Sequence, residues 1–272
     1  MVACVFDGSD RVQHMFYRSR DSEHPANRTL HCEHPGAIEA AYRRADDTVG
    51  RVVGELNEGD VLLVLSDHGF CSFRRGVDLN AWLRDAGYLH LKEGDTGEPW
   101  MVDVDWSRTT AYALGLSGLF VNLRGREGRG IVEPGEEHEA LKGELVEALT
   151  GLVDTDKGSI AVERAYDTAS YYDGPYAGEG PDLLVGYAEG YRVSWTTARG
   201  ETAAEVFSDN DRRWSGDHCV EPSLVPGVLF SNVPLGVADP ALTDVPVTIL
   251  SLLGVGAPAY MRGRDLTGDA LP

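Results

Sequence analysis

The sequence predicts an α/β fold: a mostly parallel sheet covered by helices, in one domain spanning residues 1–272. Three observations predict it. Val2–Phe6 is a short apolar run that stops at Asp7-Gly8, residues 36–57 carry helical periodicity, and Val61–Leu65 is a continuous apolar run. Strand, helix and strand in that order form a βαβ unit, whose crossover makes its two strands parallel.

The helix over 36–57 rests on Ile38, Ala41, Tyr42, Ala45, Val49, Val52, Val53 and Leu56, which keep three- and four-residue spacing. Asn57-Glu58-Gly59 supplies stop chemistry. Val61–Leu65 has no polar alternation, so it predicts a strand buried on both faces. Before the helix, residues 24–36 read as a loop rich in Pro, His and Asn.

Further along, Leu79, Trp82, Leu83 and Ala86 predict a short helix ending at Gly87, with Asn80 and Trp82 as helix-start and core residues. Leu119–Leu123 predicts a strand, followed by the turn Arg124–Gly128. Leu141, Leu145, Leu149 and Leu152 mark another helix, and residues 168–181 read as a Tyr-, Gly- and Pro-rich loop. Asp182–Tyr187 and Val225–Phe230 are strand candidates. Asp244 is placed to cap a last helix through Leu253, with Pro246 in its first turn and Gly254 at its end. A loop-rich insertion is expected near 90–180.

Composition narrows the function classes. A hydrophobic fraction of 42% with 25% charged residues is ordinary for a globular chain and excludes wholesale disorder. Against 24 basic residues stand 44 acidic ones, a formal net charge of −20, which disfavours a basic nucleic-acid face. The excess serves solubility, or some carboxylates hold cations. Cys4, Cys32, Cys71 and Cys219 form no Cys-x-x-Cys pair, so reduced thiols are expected. No apolar run reaches the length of a membrane span, and the N-terminus has no basic region followed by an apolar one. The expected location is the cytoplasm.

Three segments carry candidate chemistry. In Ser9–His14, Asp10 and His14 stand four residues apart, on one face of any helix begun there. Either Asp10 caps that helix with His14 packed beside it, or the pair grips one metal ion. In Leu65–Phe70, a buried strand runs straight into Asp67 and His68, and buried Asp is uncommon unless paired or metal-bound. In Trp214–Cys219, His218 lies in a Gly-containing loop before an apolar strand. Together these donors suit zinc, manganese or iron.

Weaker signals are His31-Cys32-Glu33-His34, which mixes ligand types within a loop, and Cys71 and Cys219, read as small buried residues or thiolate ligands. Arg126 suits either a phosphate or a neighbouring Glu. Tyr171, Tyr172 and Tyr176 suit either base stacking or loop packing.

The ordered set DRVQHMFYRSRDSEHP, LSDHGF, GVDLNAWLRDAGYL, GLFVNLRGREGRGIV, PDLLVGY, WSGDHC…PGVLFSN and DVPVTILSLLGVGAPAYMRGRDL spans nearly the whole chain. It resembles the type I phosphodiesterase/nucleotide pyrophosphatase branch of the alkaline phosphatase superfamily. The resemblance implies a three-layer α/β/α sandwich with two divalent metal ions, zinc first and manganese or iron as alternatives. It implies that Asp10, His14 and His218 hold one ion, and Asp67 and His68 the other. The implied reaction is a two-metal in-line phosphoryl transfer through a Thr or Ser nucleophile and a covalent phospho-enzyme.

In that family the nucleophile and a further metal-binding Asp precede the Asp-x-x-x-His motif by a long segment. Here the motif begins at Asp10. The chain is therefore expected to match the C-terminal portion, N-terminally truncated, with no catalytic nucleophile of its own and an exposed apolar sheet edge. Expected partners are a small-molecule phosphoester or nucleotide-like substrate, and a missing N-terminal segment or a second copy of the chain. No nucleic-acid polymer and no membrane are expected. A phosphomonoesterase, sulfatase or phosphonate hydrolase of the same superfamily, or a non-catalytic metal-binding remnant, are the alternatives.

Overall fold

Asp7 and Gly8 stop the first apolar run and start a helix, α1 (Gly8–Phe16), in the computed structural model, which describes residues 1–31, 33–94 and 97–268. The next helix, α2 (Ala37–Val53), forms where the spacing predicts it, but of the predicted apolar face it buries Ile38 and Ala41 and leaves Tyr42, Val52 and Val53 exposed. β1 (Leu63–Leu65) and β2 (Cys71–Val77) follow, then α3 (Leu79–Asp85), whose first turn is capped by the Asp78 carboxylate accepting from the Ala81 N–H at 2.8 Å.

β3 (Ala111–Leu114) and β4 (Gly118–Val121) form a hairpin across a turn in which Gly115 takes φ +79°, a conformation open to glycine. α4 (Glu136–Leu149) precedes β5 (Val153–Asp154), β6 (Ser159–Ile160), β7 (Val162–Asp167), β8 (Leu183–Tyr187) and β9 (Gly190–Val193). The chain continues through α5 (Trp195–Ala198), β10 (Phe207–Asp209), β11 (Gly216–Asp217), β12 (Leu229–Ser231) and α6 (Asp244–Leu252).

These elements divide between two compact units: Met1–Tyr42 with Phe70–Val225, and Arg43–Gly69 with the described residues from Pro226 onward. In the first unit, β3, β4, β8 and β7 lie in that order in an antiparallel sheet. Helix α4 lays Leu145 and Leu149 into the core with Leu119, Val162 and Leu183. β2 pairs antiparallel with β10 and β11, and parallel with β9.

The second unit holds the antiparallel pair β1–β12, with Leu63 opposite Ser231, Val64 opposite Phe230 and Leu65 opposite Leu229. Its α6 starts at Asp244. That carboxylate does not cap the helix as expected: it accepts from the Ala241 and Arg264 N–H groups at 2.9 and 2.7 Å and pairs with the Arg264 guanidinium. One buried carboxylate thereby ties the segment at Arg264 to the start of the helix.

The architecture is therefore mixed α/β, and the mostly parallel central sheet is not what the strands form. Pairing is largely antiparallel, and β2–β9 is the one parallel pair between named strands among the described residues. The expected βαβ unit lacks its first strand. Val2–Phe6 makes no ladder and exposes Val2, Val5 and Phe6, while β1 takes β12 as its neighbour. Nor is β1 buried on both faces, since Leu65 is exposed. An apolar run specifies a strand but leaves its partner open, because partner choice depends on residues far away in sequence.

Candidate metal centre

Helix α1 packs against β11, and that contact builds the site. Asp10 is the third residue of α1. The helix cap is Asp7, so the capping role considered for Asp10 is not the one it has. One turn on, His14 faces the same way, with Nε2 3.6 Å from Asp10 Oδ1. His218, just after β11, brings its Nε2 to 3.7 Å from the same oxygen. The donor atoms of the three residues all lie within 4.8 Å of one another.

The approach of β11 to α1 requires a glycine. A Cβ on Gly216 would stand 2.6 Å from the Gln13 carbonyl and 2.7 Å from Tyr17 Cβ. With that space open, the Ser215 N–H donates to the His14 carbonyl at 2.7 Å, and the Arg18 N–H to Ser215 Oγ at 3.1 Å. The His14 ring is fixed from both sides. Its Nδ1–H donates to the Gly216 carbonyl at 2.8 Å, because a carbonyl can only accept. Trp214 stacks on its face at 3.8 Å between centroids, and Phe70 meets it edge-on at 4.8 Å.

That tautomer turns the Nε2 lone pair of neutral His14 toward Asp10. The Asp10–His separations exceed hydrogen-bond length but approach the spacing of ligand atoms around a zinc ion, about 3.3 Å for tetrahedral bonds of about 2.0–2.1 Å. Two imidazoles and one carboxylate, with one ring held by a backbone carbonyl, thus fit a divalent metal. His14 is buried, while Asp10 and His218 retain partial exposure.

Asp217, not singled out from sequence, underlies the turn that carries His218. It is 2% exposed. Its Oδ1 accepts from the His218 and Cys219 N–H groups at 2.9 and 3.0 Å, and its Oδ2 from Trp214 Nε1 at 2.9 Å. The Arg192 guanidinium pairs with Oδ2 at 2.7 Å, and itself lies over the rings of Trp195 and Phe73. Burial opposes the charge on Asp217, but Arg192 and the three donors outweigh it and hold the carboxyl below its usual range. The sequence signal was its place inside WSGDHC; its partner Arg192 could not be read there.

Asp67 and His68 belong to the second unit, at the end of β1. Asp67 Oδ2 stands 3.6 Å from His68 Nε2. The bend is pinned by the Ser66 N–H donating to the Val228 carbonyl at 3.0 Å, and by Gly227, where a Cβ would meet the Ser66 carbonyl. The structure thus gathers Asp10, His14 and His218 in one unit and sets Asp67 beside His68 in the other.

The structure also places the weaker signals. Arg126 binds Glu127 at 2.8 Å and Asp182 at 2.6 Å, the salt-bridge alternative. Asn80 lies within α3 at full burial, and Trp82 packs against the core. Tyr171, Tyr172 and Tyr176 are exposed. Burial pushes the thiols of Cys71 and Cys219 up to about 12 and about 11. Of the His31–His34 cluster, Cys32 lies outside the described residues; His31 offers its carbonyl to Arg18 Nη2 at 2.9 Å.

The model of the type I phosphodiesterase/nucleotide pyrophosphatase family matches residues 1–210. The chain belongs to this family, which is consistent with the alkaline phosphatase superfamily. The match contains Asp10, His14, Asp67 and His68, and it stops before His218. His218 is joined to Asp10 and His14 by geometry. No curated protein matches the chain. Among the described residues, no helix is long and apolar enough to cross a membrane.

Proposed function

We propose that the chain is a metal-dependent hydrolase of phosphodiesters or pyrophosphates, working by two-metal in-line transfer. Asp10, His14 and His218 are assigned to one ion, Asp67 and His68 to the other, with zinc as the metal these donors suit best. The observation that carries the reading is the Asp10–His14–His218 cluster, whose three donor atoms converge within 4.8 Å in a chain of this family.

A bound divalent ion supplies Lewis-acid stabilisation of charge on phosphoryl oxygens. The residues do the rest. The Gly216 carbonyl holds the proton of His14 on Nδ1, so Nε2 stays available as a donor. Asp10 contributes a single negative charge to two neutral imidazoles. That offsets half of a dication and leaves the centre attractive to an anionic phosphate. Arg126 has no part in phosphate binding, because its guanidinium is committed to Glu127 and Asp182. The nucleophile is assigned to no residue of this chain.

The test combines metal content with turnover. Protein purified without chelator is analysed by elemental mass spectrometry, beside His218→Ala and the Asp67→Ala, His68→Ala pair. Hydrolysis of a chromogenic phosphodiester is followed beside a monoester and a sulfate ester. Two ions per chain, one lost in each variant, with whatever hydrolysis the chain shows strongest toward the diester, is the expected result. Metal content that neither variant changes would sink the assignment. Preference for the monoester or sulfate would move the reading to a phosphomonoesterase or sulfatase, and metal without turnover to a non-catalytic remnant.

A further inference from the structure

The neighbouring carboxylate Asp217 offers a second set of candidate donors, with His218 and Cys219 converging as closely as the first set. Its bonding argues for a different role. Both oxygens are already taken: one by two backbone N–H groups, the other by Trp214 Nε1 and Arg192. A carboxylate this buried and this fully bonded has little left to give an ion.

What those bonds reach is more informative. The two N–H groups belong to His218 and Cys219, so Asp217 shapes the backbone from which the His218 imidazole projects. The indole belongs to Trp214, which lies flat on the His14 ring at 3.8 Å. One buried carboxylate therefore orients two imidazoles on different elements, His218 through its backbone and His14 through a stacked ring. Arg192 neutralises it, and the rings of Phe73 and Trp195 hold Arg192 in place.

We propose that Asp217 is a positioning residue of the Asp10–His14–His218 centre: it binds no metal, and sets the spacing of the two imidazoles that do. The inference rests on the metal reading above. It is tested with zinc alone, in the full chain carrying Asp67→Ala and His68→Ala so that only this centre is read.

Zinc affinity is measured by competition with a chromophoric chelator, and folding by thermal melting, for His218→Ala, Asp217→Asn/Arg192→Met and Trp214→Phe. The double variant removes both charges, so no buried ion is stranded. Outer-shell changes typically weaken metal affinity about 10–100-fold. That is the loss expected for the double variant, with a smaller loss, about 3–10-fold, for Trp214→Phe, which keeps an aromatic ring beside His14 but loses the indole N–H and part of the stacked surface. His218→Ala is expected to abolish binding.

If His218→Ala binds zinc as the parent does, the metal reading fails, and the proposal with it. If His218→Ala loses zinc but the folded double variant binds it unchanged, the metal reading stands and Asp217 has no positioning role. A purely structural Asp217 would lower the melting temperature without altering the zinc affinity of the folded protein. Should the double variant not fold, unchanged affinity in Trp214→Phe overturns the proposal in its place.

Discussion

His14 and Gly216 are joined by a 2.8 Å hydrogen bond in which the ring Nδ1–H donates to the backbone carbonyl, and this one contact settles both the tautomer of the histidine and the seating of α1 on β11. It depends on the absence of a side chain at 216. Gly216→Ala would press a methyl group to 2.6 Å from the Gln13 carbonyl and 2.7 Å from Tyr17 Cβ. Neither is a flexible chain end that can swing clear. The strand must retreat from the helix, and the histidine bond lengthens with it. We expect a loss of about 1–3 kcal/mol in urea denaturation, the usual cost of overpacking, together with weaker zinc binding. Unchanged stability would show that β11 is not held as described.

Asn80 binds β3 and the segment after α5 to α3. Its Nδ2 donates to the carbonyls of Ala113 and Glu201 at 3.0 and 2.9 Å, and its Oδ1 accepts from the Ala113 N–H at 2.8 Å. The residue is fully buried. Asn80→Leu, alike in branching, leaves buried backbone groups without partners, each costing about 1–3 kcal/mol. The loss should appear in urea denaturation with zinc present or absent alike, because Asn80 bonds none of the metal donors. A difference between the two conditions would tie it to the centre.

The i, i+4 pair Asp10–His14 was legible because both donors lie on one turn of one helix, so local spacing alone places them together. Helices α2, α3, α4 and α6 were legible for the same reason. β2 was not. Its Cys-Ser-Phe-Arg-Arg-Gly-Val carries two arginines into a strand whose other residues are buried, and those charges are met by Asp21 and Glu23 on Arg74, and by Asp154, Asp156 and Asp209 on Arg75. No periodicity announces a charge whose partners come from so many segments. The direction of β1 failed likewise, since its partner β12 is set by pairing across most of the chain. His218 was marked by its motif, but Asp217 acquires its role only once Arg192 and Trp214 are beside it.

Asp182 shows how a buried charge is maintained. It accepts from Arg126 twice, from His138 Nε2 at 2.8 Å and from the Val121 N–H at 2.6 Å. Burial raises its carboxyl pKa, but Arg126 and these donors outweigh burial, and the folded value lies below the ordinary one. A carboxyl depressed on folding stabilises the protein above its unfolded pKa of about 4, and that contribution is lost as pH falls through the folded value. Asp182→Asn should cost about 3 kcal/mol at neutral pH and flatten the acid limb of the stability curve below about pH 4. An acid limb as steep as the parent's would remove Asp182 from this role.

His24 should act in a milder pH range. Its ring is buried, and both nitrogens are engaged in the neutral state: Nε2–H donates to the Phe73 carbonyl at 2.7 Å, and Nδ1 accepts from the Ala26 N–H at 3.2 Å. A proton added at Nδ1 would confront that N–H and break the turn beginning at Pro25. Burial is the main cause that pulls the pKa below the ordinary histidine value, and the Phe73 bond opposes it only in part. The unfolded chain then binds a proton that the folded chain refuses. Stability from His24 is whole above about pH 6.5 and falls as pH drops from there toward the folded value. His24→Gln keeps a donor for Phe73 and an acceptor for Ala26 but cannot titrate. Urea midpoints measured from pH 7.5 to 5 should therefore decline less in the variant than in the parent. Parallel declines would show that His24 takes its proton without cost, and the turn at Pro25 would then have to tolerate an imidazolium.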